Sequence, residues 1–325
     1  MKIFVTRAGF LTSVQDLGRV GFRQFGVSTS GALDPFALRV ANLIVGSDES
    51  ATGLEITFGG LHLQFMDDRV VAWCGGKLGA RVGSTSLPAG HAGFVHAGEE
   101  LRFEHAQAGC RCWLAISGGV DVPIVLGSRS TDLRANFGGF EGRALRDGDV
   151  VPLGRNPRLE IAATESERIS SWSAPKPWSQ TASAAPKLRF VRGASWNLFD
   201  DLMVQLFTNE PFTVLPDSDR MGVRFDGPEL KGRNTIHLVS EAVAPGTVQV
   251  PPSGKPILLL GDCQTIGGYP KIAHVISIDL GIAAQLRAGD VVRFAEVSLA
   301  DAHRLLLERE SELKRFRIGM SLHAI

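Results

Sequence analysis

Tyrosine is almost absent. The chain of 325 residues carries 18 Phe and a single Tyr, Tyr269. Aromatic bulk is therefore supplied without a hydroxyl everywhere but at one position, where a phenol can donate, accept or stack. Cysteine is also scarce: Cys74, Cys110, Cys112 and Cys263. Cys110 and Cys112 alternate onto one face of a strand, a poor geometry for a metal site closed by these residues alone. All four read as small buried hydrophobes. Net charge is lacking too, since 34 Lys and Arg balance 34 Asp and Glu. That argues against broad electrostatic binding to nucleic acid or to an anionic membrane, and leaves room only for a local basic patch. No apolar run approaches the length of a bilayer span. The first residues, Met1 to Val5, enter a strand-like alternation and not a secretory leader, so a cytoplasmic location is expected.

Several catalytic signatures are missing as well. Ser253-Gly-Lys-Pro256 lacks the upstream glycine of a phosphate loop, and Pro256 stands where Ser or Thr is required. There is no Gly-x-Gly-x-x-Gly between a strand and a helix. There is no His-Glu-x-x-His, and the eight His are scattered, which argues against a zinc enzyme. No Gly-x-Ser-x-Gly elbow occurs, and no Met-Lys-Met site for attaching biotin.

What is present is mainly β. Residues 54–65 alternate with period two around Gly59-Gly60, and residues 69–74 and 92–96 read as extended. A phrase of glycine, acid and alternating apolar residues recurs at 97–103, 147–153 and 288–294, as a repeated strand entry. A longer echo of turn, strand and Gly-Gly relates 98–119 to 246–268 and suggests duplication. The clearest helix begins at Asp34-Pro35 and stops at Gly46, with Phe36, Val40, Leu43 and Ile44 on one face. Further helices are expected over 196–207 and from Ser298, where Ser298 and Asp301 form a capping box. Residues 166–186, rich in Ser, Ala and Pro, read as a linker between domains at 1–165 and 187–325. The fold class is thus mainly β, in two barrel or sandwich domains with a few short helices.

The most informative stretch is Gln249 to Lys271. A short apolar strand from Ile257 to Leu260 delivers Asp262, Gln264 and Thr265, followed by Gly267-Gly268 and Tyr269. A rigid strand ending in a carboxylate, an amide and a hydroxyl suits a small-molecule site. The same residues equally suit a turn whose side chains satisfy its own backbone. On the first reading, Asp262→Ala lowers activity without lowering stability. Elsewhere, Asp34 suits a helix N-cap as well as a catalytic role. Asp16 and Arg19 suit a weak pair on a solvated loop.

Gln15-Asp-Leu-Gly-Arg19, Gly31-Ala-Leu-Asp34, Leu54-Glu-Ile, Gly127-Ser-Arg-Ser-Thr-Asp132, Gly138-Gly-Phe-Glu-Gly-Arg143, Ser218-Asp-Arg-Met-Gly-Val-Arg224, Pro245-Gly-Thr-Val-Gln-Val-Pro251 and Asp262-Cys-Gln-Thr-Ile-Gly-Gly-Tyr-Pro270 run in order along the chain. Together they resemble the biotin-dependent carboxyltransferase family, also called allophanate hydrolase subunit 2, which includes the C-type subunit of bacterial 5-oxoprolinases. The resemblance implies two cyclophilin-like β-barrel domains. It implies partners: a subunit-1 or B-type protein and an A-type lactam-utilisation subunit. It implies a small amide substrate, with ATP and Mg acting at the level of the complex and any biotin carried on another polypeptide. The expected reaction is ATP-dependent opening of 5-oxoproline to L-glutamate. The alternatives are carboxyl transfer to urea or a related amide, and a non-catalytic regulator that binds a sensor-kinase inhibitor. The positions matching the family are Asp262, Gln264, Thr265 and Tyr269, expected to be catalytic, and Arg19, Asp34, Arg129, Ser218, Asp219 and Arg220, expected to bind substrate. Arg220 is suited to an anionic carboxylate or phosphate. Cys263, at a position the family varies, receives no role.

Overall fold

The computed structural model describes residues 1–156, 168–180, 186–231 and 238–323. They group into two compact units, neither of them one continuous stretch. The first comprises Met1–Arg19, Ser30–Ala182 and Leu313–Ile325; the second comprises Val20–Thr29 and Ser183–Glu312. The expected linker, 166–186, lies partly outside the described residues. Within the described part, Ile169 bridges Gly93 and Gln180 bridges Gly75, both in the first unit.

The first unit contains strands Lys2–Ala8 (β1), Leu11–Gln15 (β2), Gly53–Thr57 (β3), Leu61–Phe65 (β4), Arg69–Lys77 (β5), Ala80–Val82 (β6), Thr85–Ser86 (β7), Gly93–Val95 (β8), Glu100–Phe103 (β9), Ala108–Ile116 (β10) and Val150–Pro152 (β11). They form a six-stranded sheet, β11-β1-β4-β9-β6-β7, and a five-stranded sheet, β2-β3-β10-β5-β8. Ile3, Val5, Leu54, Ile56, Leu63, Trp73 and Leu114 meet in one buried core. Helix Pro35–Ile44 (α1) begins where the sequence places it. Its N-cap Asp34 accepts from Ala37 N–H at 3.0 Å, satisfying one of the open donors of the first turn.

The second unit contains Lys187–Arg192 (β12), Phe212–Val214 (β13), Gly222–Asp226 (β14), Glu241–Ala242 (β15), Thr247–Gln249 (β16), Ile257–Leu259 (β17), Ile266–Gly267 (β18), Lys271–Val275 (β19) and Val291–Glu296 (β20). Seven of them close into a barrel in the order β12-β19-β16-β17-β14-β13-β20, while β15 and β18 form a separate two-stranded ribbon. Phenylalanine fills this unit. Phe294 stacks on Phe207 at 4.5 Å and meets Phe212 and Phe225 edge-on at 5.7 and 5.6 Å, and Phe190 meets Phe207 at 5.1 Å. The dry interior of a barrel offers no partner for a phenol, which accounts for Phe in preference to Tyr.

The single helix expected over 196–207 is instead a 3₁₀ turn, Trp196–Leu198, followed by a helix, Asp201–Asn209. Asp200 causes the break, because its extended backbone and its carboxylate, which accepts from Met203 N–H at 2.9 Å, make it a cap and not an interior residue. The last helix, Leu299–His323, starts at the expected box: Ser298 Oγ accepts from Asp301 N–H at 3.0 Å and donates to the Asp301 carboxylate at 2.7 Å.

The recurrent glycine–acid phrase proves to be one device used three times. Gly98, Gly148 and Gly289 have φ of 86°, 91° and 89°. Their N–H groups donate to Phe65, Val5 and Val214 carbonyls, and those same residues donate back to the carbonyls of Glu99, Asp149 and Asp290. Each acid also accepts from the backbone N–H three residues earlier, at His96, Arg146 and Arg287. The glycine supplies the left-handed conformation and the acid closes the turn.

Candidate functional site

The stretch from Gln249 to Lys271 builds a polar cluster on the second unit. Strand β17 ends at Leu259, and the chain turns through Asp262, with Cys263 N–H donating to Leu260 O at 3.1 Å. Asp262 does not face an open site. Its carboxylate receives a bidentate pair from Arg220, Nε at 2.8 Å and Nη2 at 3.1 Å, and both side chains are about 95% buried (5% and 4% exposed). Two residues expected to act on substrate thus face each other. Planar, two-point pairing of this kind is the geometry a guanidinium favours, and burial makes it costly to break. Ser218 and Asp219 serve the same hairpin: Ser218 Oγ accepts from Arg224 N–H at 3.0 Å, and Asp219 Oδ1 accepts from Met221 N–H at 2.7 Å.

Beyond Asp262 the side chains form a linked set of amides. Gln264 Nε2 donates to Gln249 Oε1 at 3.3 Å, and Gln249 Nε2 reaches the Tyr269 carbonyl at 3.5 Å. Thr265 O accepts from Val243 N–H at 3.0 Å, which extends the β15–β18 ribbon. Tyr269 is 45% exposed. Gly267 and Gly268 are there for close approach and not for left-handed backbone. A Cβ on Gly267 would come within 2.8 Å of Gln249 Nε2, and one on Gly268 within 2.9 Å of Leu238 O.

Three contributors were not legible in the sequence. Lys271, buried at the start of β19 and paired across the ladder with Gln249, sends Nζ to Glu241 at 2.5 Å. Gln249 itself is fully buried. Arg23 comes from the segment 20–29, far away in sequence: its Nη2 donates to Val243 O at 2.6 Å and to Gln264 O at 2.8 Å, and lies 3.7 Å from Cys263 Sγ. Only the barrel order makes β16, which carries Gln249, and β19, which carries Lys271, neighbours. No sequence signal linked Arg23 to residues 243–264.

Titration narrows the chemistry. Burial pushes the Cys263 thiol up, against the opposing effect of Arg23, so it is a poor nucleophile at neutral pH. Burial also holds His274 below its ordinary value, and its Nδ1 lies 3.4 Å from Thr247 Oγ1. The cluster offers amide groups, a lysine paired with Glu241 and an exposed phenol side chain. It can bind and orient a small polar molecule, and its one carboxylate aimed from the strand end is already engaged.

The remaining expected residues belong to the first unit. Arg19 is fully buried, and is not on a solvated loop. Its Nε donates to Val125 O at 3.2 Å, its Nη2 donates to Ser130 O, and its guanidinium lies over the Phe137 ring at 4.5 Å. Gly138 makes room for it, since a Cβ there would overlap Nη2. Asp16 is instead the hub of the 128–130 loop, accepting from Ser128 Oγ, Ser130 Oγ and Arg129 N–H, each at 2.6 Å. Asp34 is the α1 cap described above. Arg129 donates to Val122 O at 2.7 Å and pairs with Asp121 at 2.9 Å. It lines a cavity of about 370 Å³ with Asp16, Asp48, Ser50 and Gly118-Gly119.

The family model described as "Carboxyltransferase domain, subdomain A and B" matches residues 25–296. The chain belongs to this carboxyltransferase family. Among relatives, this carboxyltransferase-family chain is 39% identical over 320 residues to the C-type subunit of 5-oxoprolinase from Escherichia coli, covering 98% of each chain. It is 37% identical to the subunit of the same name from Haemophilus influenzae, covering 94% of each. Among solved structures, the urea amidolyase of K. lactis superposes with a TM-score of 0.89 at 30% identity, over 97% of this chain but 20% of that one. All seven candidate residues between Ser218 and Tyr269 fall inside the matched region, as do Asp34 and Arg129; Arg19 and Arg23 precede it.

Proposed function

We propose that the chain is the C-type subunit of a heteromeric, ATP-dependent 5-oxoprolinase that opens 5-oxoproline to L-glutamate together with a subunit-1 or B-type partner and an A-type subunit. The observation that carries this reading is the end-to-end match to a free-standing 5-oxoprolinase subunit, 98% of each chain at 39% identity. The fungal urea enzymes contain the same region as a small part of a much longer polypeptide.

The chemistry fits a shared site. A lactam carbonyl is unreactive, and ATP supplies the phosphoryl group that turns its oxygen into a leaving group. Gln264, partly exposed, presents an amide that matches a lactam N–H or C=O and is backed by the buried Gln249, and Lys271, on exchanging its exposed partner Glu241, supplies positive charge for the substrate carboxylate or for oxygen charge developing in the reaction. The cluster holds no ready nucleophile among the described residues, consistent with a reaction completed by other subunits. We assign the nucleotide and its Mg to the complex. Lys255, in the stretch that superficially resembles a phosphate loop, is occupied by Asp226 at 2.8 Å and Gly227 O at 2.6 Å. No group of three or more metal-ligating side chains occurs among the described residues.

A second reading, carboxyl transfer to urea or a related amide with biotin carried elsewhere, is favoured by the TM-score of 0.89 to urea amidolyase. The test is to co-purify the chain with its subunit-1 partner, add the A-type subunit, and measure glutamate release dependent on ATP and 5-oxoproline. Turnover is expected. No glutamate, with carboxylation of urea from carboxybiotin instead, replaces the first reading by the second. Neither activity, with binding to a sensor-kinase inhibitor, makes the chain a regulator.

A further inference from the structure

The segment Val20–Thr29 leaves the first unit after Arg19 and groups with the second. Much of its surface is open: Val20 is 81% and Phe25 72% exposed. The Arg23 side chain is engaged with distant backbone. Arg23 opens a single 3₁₀ turn, Arg23–Phe25, that Gly26 closes with φ of 83° and its N–H on Arg23 O. From there the guanidinium reaches two carbonyls more than 200 residues away in sequence. Val243 follows β15, and Gln264 precedes β18. These are the two strands of the small ribbon, joined additionally by Val243 N–H to Thr265 O at 3.0 Å. Arg23 Nη1 also approaches Thr29 Oγ1 of its own segment at 3.4 Å.

A two-stranded ribbon is marginal by itself. The turn that enters this one carries Gln264 and Thr265, Tyr269 follows it, and the ribbon stands outside the barrel ladder. Among the described residues, Val243 and Cys263 pack against Leu259 in a small apolar cluster. A charged donor shared between the carbonyls of both strands is stronger than a neutral bond and fixes their separation. Fixing Gln264 O also fixes the direction in which the Gln264 amide leaves the backbone, toward Gln249.

We propose that Arg23 is a positioning residue, a latch from the 20–29 segment that holds the Asp262–Thr265 turn in the shape that aims Gln264 into the amide-binding cluster. This rests on the reading of that cluster as the substrate site. Arg23 itself points at backbone carbonyls and acts through the turn.

The test uses the assembled complex with Arg23→Ala, Arg23→Lys and Gln264→Ala, measuring KM and kcat for 5-oxoproline and the labelling rate of Cys263 by a small thiol reagent. All four cysteines are buried, so wild type labels slowly, and a Cys263→Ser control identifies the labelled site. Arg23→Ala is expected to raise KM for 5-oxoproline at least about tenfold with kcat changed less than about threefold, as expected when binding groups are displaced by a fraction of an ångström. Cys263 labelling is expected to rise by about tenfold as the turn opens. Arg23→Lys keeps one carbonyl contact and recovers part of both. KM and Cys263 labelling both within twofold of wild type in Arg23→Ala, while Gln264→Ala raises KM, overturn the latch. If Gln264→Ala is also silent, the site reading has failed, and the latch stands or falls on labelling alone.

Discussion

At the scale of single residues, the sharpest consequence concerns Asp262. A carboxylate expected from the sequence to be free for catalysis is instead half of a buried ion pair with Arg220. Removing one partner leaves an uncompensated buried charge, so Asp262→Ala is expected to lose about 3–5 kcal/mol of stability in urea denaturation. A double variant, Arg220→Met with Asp262→Leu, should lie closer to wild type than either single change; a double variant worse than both would show that the pair is not the reason. On the proposed function, Lys271, whose partner Glu241 is 63% exposed and can be exchanged, is the residue that meets an anionic substrate. Lys271→Ala in the complex is expected to raise KM for an anionic substrate about tenfold, the loss of one charge-assisted contact, and Tyr269→Phe should leave melting behaviour unchanged. The single tyrosine could be singled out by composition, and Asp262, Gln264 and Thr265 by their place at a strand end. Whether each faces ligand or protein could not, because that depends on which hairpin lies alongside. Asp34 is the contrasting case, since its capping role is set by the four residues that follow it.

At the scale of elements, the glycine–acid turns are testable as a set. Nothing lies within 4 Å of a Cβ built at Gly98, Gly148 or Gly289. Alanine there is therefore opposed by backbone conformation alone, and each substitution should lower stability by about 1–2 kcal/mol. The acid of the second turn adds a pH dependence. Hydrogen bonds from Arg143 and the Arg146 N–H hold the Asp149 carboxyl below its ordinary value of 3.8. Its contribution is present above that ordinary value and is lost as pH falls through the lower value of the folded state. Asp149→Asn is expected to cost about 2 kcal/mol at pH 7, and the gap to wild type should begin to narrow only as pH falls below 3.8; a gap independent of pH would count against the ionic cause. The recurrence of these turns was legible because one short phrase carries the whole device. The break at Asp200 was missed because helical spacing alone does not reveal a cap when apolar residues continue past it.

At the scale of the molecule, the second unit depends on phenylalanine and the first partly on the chain's last residues. Phe294 touches Phe190, Phe207, Phe212 and Phe225, and Phe294→Ala should cost about 3–5 kcal/mol, read as a shift in the denaturation midpoint with the slope unchanged. In the first unit, Phe316 of the last helix meets Trp178 at 5.6 Å, Trp178 meets Phe36 at 5.4 Å, and Arg317 pairs with Glu49 at 2.9 Å. Phe316 thus reaches α1 through Trp178, a long-range closure that no local pattern announces.

Local physics settled much of this protein in advance. Alternation marked the strands, Asp34-Pro35 and Ser298-x-x-Asp301 marked helix starts, and a one-Tyr composition singled out Tyr269, because each effect acts within a few residues or through composition alone. The in-order motifs placed the chain in its family for the same reason. Tertiary structure decided the pairings: Arg220 with Asp262, Gln249 with Gln264 and Lys271, Arg23 with the carbonyls of Val243 and Gln264. A polar side chain acquires a role only from the partner that desolvates or satisfies it, and here those partners arrive from strands and loops tens to hundreds of residues away, brought together by barrel closure and chain crossing.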